Sequence, residues 1–163
     1  MFCILVVCTG NTCRSPMAEW ILRAMLDEQG LTGRVVVASG GLSACEGAPI
    51  SEGAMRILQA RSFAEAAGHQ ASAVTAERVE TADLILTMTS FHKMSLLQTF
   101  AQAQGKVYTV AEYAQLGSQD ISDPYGGDDL AYQQAADLIT EASQAIAVRI
   151  ARELGKSKGV PLQ

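Results

Sequence analysis

The sequence predicts an α/β protein built on a parallel sheet with helices on both faces. Short apolar runs typical of strands alternate with longer stretches whose apolar residues recur at helical spacing. The first run, Phe2–Val7, is apolar throughout, as expected of a strand covered on both faces. A tight loop leads from this strand into a helix. A ligand site is therefore expected at the carboxyl end of strand one, where open α/β sheets bind their ligands.

Four strands are predicted from runs rich in Val, Ile and Leu, at residues 2–7, 34–38, 83–88 and 106–110. The 163 residues suggest one domain, 1–163, that is large enough to bury a core. No repeat or linker interrupts the alternation of strands and helices. The last residues, 155–163, are predicted to be a frayed tail.

Five helices are predicted between and after the strands, at residues 17–29, 52–66, 75–82, 91–103 and 128–154. The first ends at the glycines of residues 30–33. Ser51 and Thr89 suit the N-caps of the second and fourth. The last is acidic at its start and carries Arg149 and Arg152 near its end, which the helix dipole favours.

Composition and charge exclude several classes of function. A net charge of −5 and a pI near 5.0, without a basic cluster, argue against nucleic acid or an anionic membrane as a partner. No apolar stretch approaches the roughly 20 residues of a membrane span, and no secretion signal is evident. The four cysteines form no disulfide framework. We therefore expect a cytoplasmic, monomeric protein without a membrane anchor.

Neither a metal nor a cofactor is expected, because the two histidines have no ligand spacing with the cysteines. His69 is expected to be structural. His92 and its neighbour Lys93 fall in the first turn of a predicted helix, where solvated side chains are the ordinary expectation.

The loop after strand one combines a thiol with a guanidinium. Cys8 ends the apolar run, Arg14 follows six positions later, and Pro16 suits the first helical position. Loop amides beside a helix N-terminus bind anions, and a thiol in such a place ionises readily. Gly10 and Asn11 are residue types that accept unusual backbone angles, so a tight loop can form there.

These features predict a phosphoryl site with Cys8 as nucleophile. Arg14 would grip two phosphoryl oxygens, Ser15 would donate a hydrogen bond to the sulfur, and a phosphocysteine intermediate would form and be hydrolysed. A buried structural cysteine beside a solvated arginine is the alternative. The position between a strand and a Ser-Pro helix start favours catalysis. The predicted phosphate-binding residues are Thr9, Gly10, Asn11, Thr12, Cys13, Arg14 and Ser15.

A general acid is expected in the loop before the last helix, which is rich in Gly, Pro, Ser and Asp. Asp123, held next to Pro124, and Asp120 are both candidates on the residues alone. Turn and cap carboxylates without a catalytic role are the alternative.

The segment Val7–Pro16 resembles the phosphate loop of the low-molecular-weight protein tyrosine phosphatase family, and is most similar to its bacterial protein arginine phosphatase branch. The likeness runs from Phe2 to about Leu154. It implies the strand order 2-1-3-4, and Asp123-Pro124 matches the family's general-acid motif. It also implies that Ser39 hydrogen-bonds the phosphate loop. The chain departs from the family's Ser-Ala-Gly by having Gly40 in the middle position.

Two features bear on the substrate. Thr12 stands where tyrosine phosphatases of the family usually have an aliphatic residue. Glycines follow Tyr125, so a second aromatic wall is missing, while Asp123, Asp128 and Asp129 are nearby. Such a slot suits a guanidinium better than a phenyl ring. Both features resemble the arginine phosphatase branch, in which the threonine selects phosphoarginine, although the branch has Phe at the position of Tyr125. A neutral loop variant is the alternative for Thr12.

The sequence therefore predicts a cysteine-dependent protein arginine phosphatase acting on phosphorylated proteins. A low-molecular-weight protein tyrosine phosphatase, or a broad small-phosphate phosphatase, is the alternative, and a non-catalytic phospho-binding module is a more distant one. Cys13 is either a small apolar side chain under the loop or a resolving thiol that pairs with oxidised Cys8.

Overall fold

A four-stranded parallel sheet forms the centre of the computed structural model, which describes residues 1–156. The strands are β1 (Phe2–Cys8), β2 (Val35–Gly41), β3 (Leu84–Thr87) and β4 (Val107–Thr109). Their order in the sheet is β2-β1-β3-β4, which confirms the predicted class and the order 2-1-3-4. In the register, Cys8 lies opposite Gly41 of β2, and Val7 lies opposite Thr87 of β3.

In the described part of the chain, six α-helices connect and follow the strands: α1 (Arg14–Glu28), α2 (Glu52–Ala60), α3 (Ala76–Thr81), α4 (Ser90–Thr99), α5 (Val110–Ala114) and α6 (Asp129–Lys156). Alternate residues of β1 face different layers. Ile4 and Val6 belong to the larger core, which α1 and α6 cover, whereas Leu5 and Val7 belong to a smaller core under α3 and α4. The sheet is therefore covered on both faces, as the unbroken apolar run predicts.

Two boundaries near the phosphate loop differ from the prediction. Helix α1 begins at Arg14, so Pro16 is its third residue; a missing N–H is tolerated there because the first turn has no intrahelical acceptor. Strand β2 continues through Gly41 instead of ending before Ser39. The cause is its pairing with β1, which extends to the Cys8–Gly41 pair.

Other differences lie further along the chain. Helix α2 ends at Ala60, and Ser62 then adopts a left-handed backbone (φ 68°) before a short 3-10 turn, Ala64–Gly68. Helix α4 likewise ends at Thr99. Helix α5 was not predicted, although Thr109 and Glu112 form a capping box at its start.

The last helix is longer than predicted. It extends to Lys156, so Gly155 and Lys156 of the predicted tail are helical, and residues 157–163 lie outside the described part of the chain. Within residues 1–156, every helix is too short or too polar to cross a membrane. The expectations of a monomer and of a cytoplasmic location stay predictions.

Candidate active site

Asn11 shapes the loop between β1 and α1. It has a left-handed backbone (φ 57°), which Gly10 does not share, so only one of the two predicted positions needs an unusual angle. Its buried side chain accepts a hydrogen bond from the backbone N–H of Ser72 (2.9 Å). The same amide donates to the hydroxyls of Ser15 and Ser39, both at 2.9 Å. Asn11 therefore ties the loop to α1, to β2 and to the segment around Ser72.

A directed chain of hydrogen bonds ends at Cys8. The carboxylate of Glu19 can only accept, so the hydroxyl of Ser39 donates to it (2.6 Å) and accepts from Asn11. Asn11 also donates to the oxygen of Ser15, so the Ser15 hydrogen has two acceptors in reach, the Cys8 sulfur at 2.9 Å and the carbonyl oxygen of Gly40 at 3.5 Å. The Cys8 sulfur is the closer of the two acceptors. The contact between Ser39 and the loop is the one that the resemblance implies.

Within residues 1–156, the loop leaves its backbone N–H groups without protein partners. Three of its carbonyl oxygens accept bonds from outside it: Thr9 from the N–H of Ser43, Asn11 from the His69 ring and Thr12 from the N–H of Ser51. By contrast, the backbone N–H groups from Thr9 to Ser15 donate to no acceptor within residues 1–156. Free amides at a helix N-terminus form an anion site. His69 has a structural role here, since its ring holds the loop.

Arg14 is buried at the base of the same pocket. One guanidinium nitrogen donates to the carbonyl of Ile121 (2.9 Å), and another lies 3.4 Å from a carboxylate oxygen of Asp123. The pocket has a volume of about 210 Å³. Its lining residues are Cys8, Thr9, Gly10, Thr12, Cys13, Arg14, Asp123 and Tyr125. A thiol, an arginine and a carboxylate thus share one small cavity.

The structure separates the two acid candidates. Asp120 accepts a hydrogen bond from the backbone N–H of Ser90 (2.8 Å), so it stabilises the start of α4 and does not line the pocket. Asp123 lines the pocket with its side chain half exposed, and its other oxygen accepts from the N–H of Tyr125 (3.1 Å). Only Asp123 is placed to exchange a proton with a group in the pocket.

His92 is buried, and the expectation of a solvated side chain is wrong. Its Nε2 lies 2.8 Å from the hydroxyl of Thr9, and its Nδ1 has no partner among the described residues. Burial, and next the positive charge of Arg14, lower the pKa of His92 to about 4, so the ring is neutral at neutral pH. It holds Thr9 in place. One feature of the sequence could have indicated this role: His92 comes soon after β3, whose carboxyl end lies at the same edge of the sheet as the phosphate loop.

The sequence also matches a known protein family over nearly its whole length. A family model described as "Low molecular weight phosphotyrosine protein phosphatase" matches residues 3–157. The chain belongs to this phosphatase family. The predicted family and enzyme class are thereby confirmed, because the match covers the phosphate loop, the whole sheet except Phe2, and all of α6.

Curated relatives of this phosphatase carry two kinds of name. A "Protein-arginine-phosphatase" of Bacillus subtilis is 35% identical over 92% of this chain and 97% of the relative. A "Probable low molecular weight protein-tyrosine-phosphatase EpsP" of Ralstonia nicotianae is 37% identical over 93% and 97%. Among solved structures, a mutant of the YwlE arginine phosphatase with a phosphorylated active-site serine has a TM-score of 0.85 at 35% identity, covering 92% of this chain and 95% of that one.

The two glycines that end β2 in this phosphatase have different neighbours. A Cβ on Gly41 would lie 2.5 Å from the carbonyl oxygen of Thr9 and 3.0 Å from the backbone nitrogen of Asn11. A Cβ on Gly40 would instead lie 2.8 Å from a guanidinium nitrogen of Arg78. The loop backbone therefore requires glycine at position 41, while glycine at 40 makes room for an arginine.

Arg78 uses that room to join β2 to the segment that holds the loop. It donates to the carbonyl oxygens of Ser39 (2.6 Å) and Ala73 (2.9 Å), and to the hydroxyl of Ser72 (2.9 Å). The N–H of Ser72 in turn donates to Asn11. The departure from Ser-Ala-Gly thus has a physical reason, which is the space that Arg78 needs.

Gly41→Ala is expected to destabilise the phosphatase by about 3 kcal/mol and to abolish activity, because the new methyl group meets loop backbone. Gly40→Ala is the matched control. Its methyl group would meet two side chains and no loop backbone: the guanidinium of Arg78, which must shift and weaken its hydrogen bonds, and a methyl group of Val74 at 3.1 Å. A loss of about 1 kcal/mol is therefore expected, with most activity kept. Chemical denaturation and kcat/KM measure both effects. Equal losses in the two variants would contradict this account of the loop.

Cys13 is held at the other end of the loop. Its thiol donates to the hydroxyl of Ser51 (3.1 Å) and lies 3.5 Å from the hydroxyl of Tyr132. The ring of Tyr132 occupies the space where Gly53 lacks a side chain. Burial raises the pKa of Tyr132, so its hydroxyl stays neutral. Cys8 and Cys13 are both free thiols.

The mouth of the pocket has one aromatic wall, Tyr125, which is 72% exposed. The following glycines belong to a turn, in which Gly126 has a left-handed backbone (φ 78°) and the N–H of Gly127 donates to the carbonyl of Pro124 (2.8 Å). The turn itself requires glycine at position 126. A second aromatic residue there would be strained as well as different in chemistry.

Two of the three acidic residues expected near the slot lie elsewhere. Asp128 accepts from the backbone N–H of Ala131 (3.0 Å) at the start of α6, and Asp129 pairs with Arg56 (2.8 Å). Neither lines the pocket, so the expectation of several carboxylates around the substrate is wrong. Their positions as helix cap and first helical residue explain the difference. Among the described residues, Asp123 is the one carboxylate in the pocket lining.

Proposed function

We propose that this phosphatase is a protein arginine phosphatase, which hydrolyses phosphoarginine in phosphorylated proteins. The observation that carries the proposal is the pocket mouth, where Thr12, Tyr125 and Asp123 meet around one small cavity. The name of the Bacillus subtilis relative and that of the YwlE structure support it.

A guanidinium group fits each of these three side chains. It is planar and positively charged, so it can stack on the ring of Tyr125 and donate hydrogen bonds to Asp123. The hydroxyl of Thr12 lies 3.8 Å from the Cys13 sulfur and has no closer partner within residues 1–156, so it is free for a substrate N–H. A phenyl ring would leave that hydroxyl with only its long contact to the Cys13 sulfur, which costs binding energy.

In the first step, the loop amides and Arg14 hold the phosphoryl oxygens while the Cys8 thiolate attacks phosphorus. The S–P bond forms as the P–N bond breaks. Asp123, as a carboxylic acid, gives its proton to the leaving nitrogen, so the arginine side chain departs as a guanidinium. In the second step, the Asp123 carboxylate takes a proton from water, the water oxygen bonds to phosphorus, and the thiolate departs, stabilised by Ser15.

A tyrosine phosphatase is the second candidate. The exposed ring of Tyr125 could pack on a phenyl phosphate, and the Ralstonia nicotianae relative is named a probable protein-tyrosine-phosphatase. The catalytic steps would be the same, with a phenol as the leaving group. A non-catalytic binding module is the third candidate, and it predicts phosphate binding without turnover.

The decisive test compares kcat/KM for one peptide that carries either phosphoarginine or phosphotyrosine, with Cys8→Ser as the blank. A preference for phosphoarginine of about tenfold or more is expected. A preference for phosphotyrosine would favour the second candidate and leave the catalytic steps intact. Absence of Cys8-dependent turnover of both peptides would favour the binding module.

Thr12→Ile is expected to move the preference toward phosphotyrosine by about 10- to 100-fold. The change removes the hydroxyl that a guanidinium uses and adds apolar surface for a phenyl ring. The ratio of the two kcat/KM values measures it. An unchanged ratio would show that Thr12 does not select the substrate.

We also propose that Cys13 is the resolving thiol for Cys8. A peroxide would oxidise the Cys8 thiolate to a sulfenic acid, and the Cys13 thiol would then form the disulfide and release water. Cys13 must first leave its hydrogen bonds to Ser51 and Tyr132.

Mild peroxide is therefore expected to cause a loss of activity that thiol reductants reverse, with a Cys8–Cys13 crosslink in mass mapping. In Cys13→Ser the loss is expected to become irreversible, whereas Cys45→Ser, which changes an exposed thiol, should behave as the parent. Irreversible loss in the parent protein without the crosslink would contradict the proposal.

A further inference from the structure

A second cavity lies beside the catalytic pocket. It has a volume of about 410 Å³ and shares Thr9 with the catalytic pocket. We call it the flanking groove. Thr9 and His92 belong to its lining, together with the apolar side chains of Leu42, Phe91 and Phe100. No residue of the lining is an acid, a lysine or an arginine, whereas the catalytic pocket contains both Arg14 and Asp123.

Phe91 is the most unusual residue of this groove. It is 72% exposed in the first turn of α4, and the same fraction of Tyr125 is exposed at the mouth of the catalytic pocket. Every other aromatic side chain within residues 1–156 is buried or half-buried. The two exposed rings therefore line two cavities that meet at Thr9. An exposed apolar ring beside a binding site is typical of a surface that a ligand covers.

We propose that the flanking groove binds an uncharged, apolar side chain of the substrate polypeptide that neighbours the phosphorylated residue. This rests on the proposed function, since only a polypeptide substrate has such neighbours. The phosphorylated side chain enters the catalytic pocket, and Thr9 is the residue that this pocket shares with the groove, so a backbone that crosses the pocket on the side of Thr9 passes the groove. Adjacent residues are about 3.8 Å apart along the chain, which brings a neighbouring side chain within reach of the groove.

Two hydrogen-bond contacts fix the position of Thr9, which lies between the two cavities. The ring of His92 holds the Thr9 hydroxyl at 2.8 Å, and the Thr9 carbonyl accepts from the N–H of Ser43 (2.9 Å). A charged neighbour in the substrate would lose water in the groove and find no opposite charge there. The groove therefore selects apolar neighbours and disfavours acidic or basic ones.

The test uses three substrates: a phosphoarginine peptide with leucine on both sides of the phosphorylated residue, the same peptide with serine on both sides, and free phosphoarginine. Phe91→Ala is expected to lower kcat/KM about tenfold for the leucine peptide, because part of the buried apolar contact is lost. Values for the serine peptide and for free phosphoarginine should not change. Met94→Ala is the matched control, since Met94 is 61% exposed on the same helix but does not line the groove.

An equal loss for all three substrates, no loss for the leucine peptide, or the same loss in Met94→Ala would overturn the proposal. An effect of Phe91→Ala that depends on enzyme concentration would also overturn it, because the groove would then bind a second copy of the chain. If the enzyme prefers phosphotyrosine, kcat/KM is compared in the same way for phosphotyrosine peptides with leucine or serine on both sides. If the enzyme hydrolyses neither phosphoarginine nor phosphotyrosine peptides, binding replaces turnover as the measurement. The Kd of the leucine peptide and of the serine peptide is then measured for Cys8→Ser and for the double variant Cys8→Ser, Phe91→Ala. The groove and the proposed function can thus fail separately.

Discussion

Cys8→Ser is expected to lower kcat/KM by about 10⁴-fold or more, since it removes the atom that attacks phosphorus. A serine hydroxyl in the same place ionises far less readily than a thiol, and it is a poorer leaving group in the hydrolysis of the intermediate. The hydroxyl of Ser15, 2.9 Å from the sulfur, can hydrogen-bond to either side chain. The fold and the anion site should therefore survive while turnover stops.

Two measurements separate this effect from unfolding. Inorganic phosphate should bind the variant with a Kd close to that of the parent, because Arg14 and the loop amides are unchanged. Cys45→Ser, which alters an exposed thiol, should keep full activity. Full activity of Cys8→Ser would overturn the assignment of the nucleophile, and loss of phosphate binding would mean that the thiol shapes the site.

Asp123→Asn is expected to lower kcat by about 10²- to 10³-fold on phosphoarginine, because the amide cannot protonate the leaving nitrogen. The effect should depend on the leaving group. An aryl phosphate with an acidic phenol departs without a proton, so its first step should slow only slightly in the variant. A burst of phenol release followed by slow turnover would show that the second step also needs the Asp123 carboxylate.

Asp120→Asn is the matched control for this prediction. Asp120 is three residues away in the same loop, yet it binds the N–H of Ser90 and lies outside the pocket. A small loss of stability and unchanged kcat are expected. Similar losses of kcat in both variants would indicate that the loop conformation, and not proton transfer by Asp123, limits the reaction.

The sequence predicted the parallel sheet and the tight loop after its first strand, because these depend on local patterns. The apolar run of β1 and the pairing of Cys8 with Arg14 across a short loop are visible in the chain itself. The candidate general acid could not be chosen from local patterns in the same way. The residues alone leave Asp120 and Asp123 both open, and only the resemblance to the family's Asp-Pro motif favours Asp123. In the structure Asp123 lies 3.4 Å from Arg14, whereas Asp120 binds the N–H of Ser90. That distance depends on where the loop packs, which no local pattern encodes.

His92 is a second case in which local sequence could not predict how a side chain packs. A histidine in the first turn of a helix is ordinarily solvated, and its burial here results from the packing of α4 against the edge of the sheet. Asp128 and Asp129 were expected near the substrate because they are near Asp123 in sequence. Their side chains instead serve the start of α6 and an ion pair with Arg56. Proximity in sequence did not become proximity in the pocket.

The contact between Gly40 and Arg78 has an evolutionary consequence. A methyl group at position 40 and the present guanidinium position at 78 exclude each other, since the two would be 2.8 Å apart. Related chains with alanine at position 40 should therefore carry a shorter or differently directed side chain at position 78. The two sites should change together across the family, although they are 38 positions apart in the sequence and neither touches the substrate pocket. Such linked changes would record how the lineage of this chain replaced one way of bracing the phosphate loop with another.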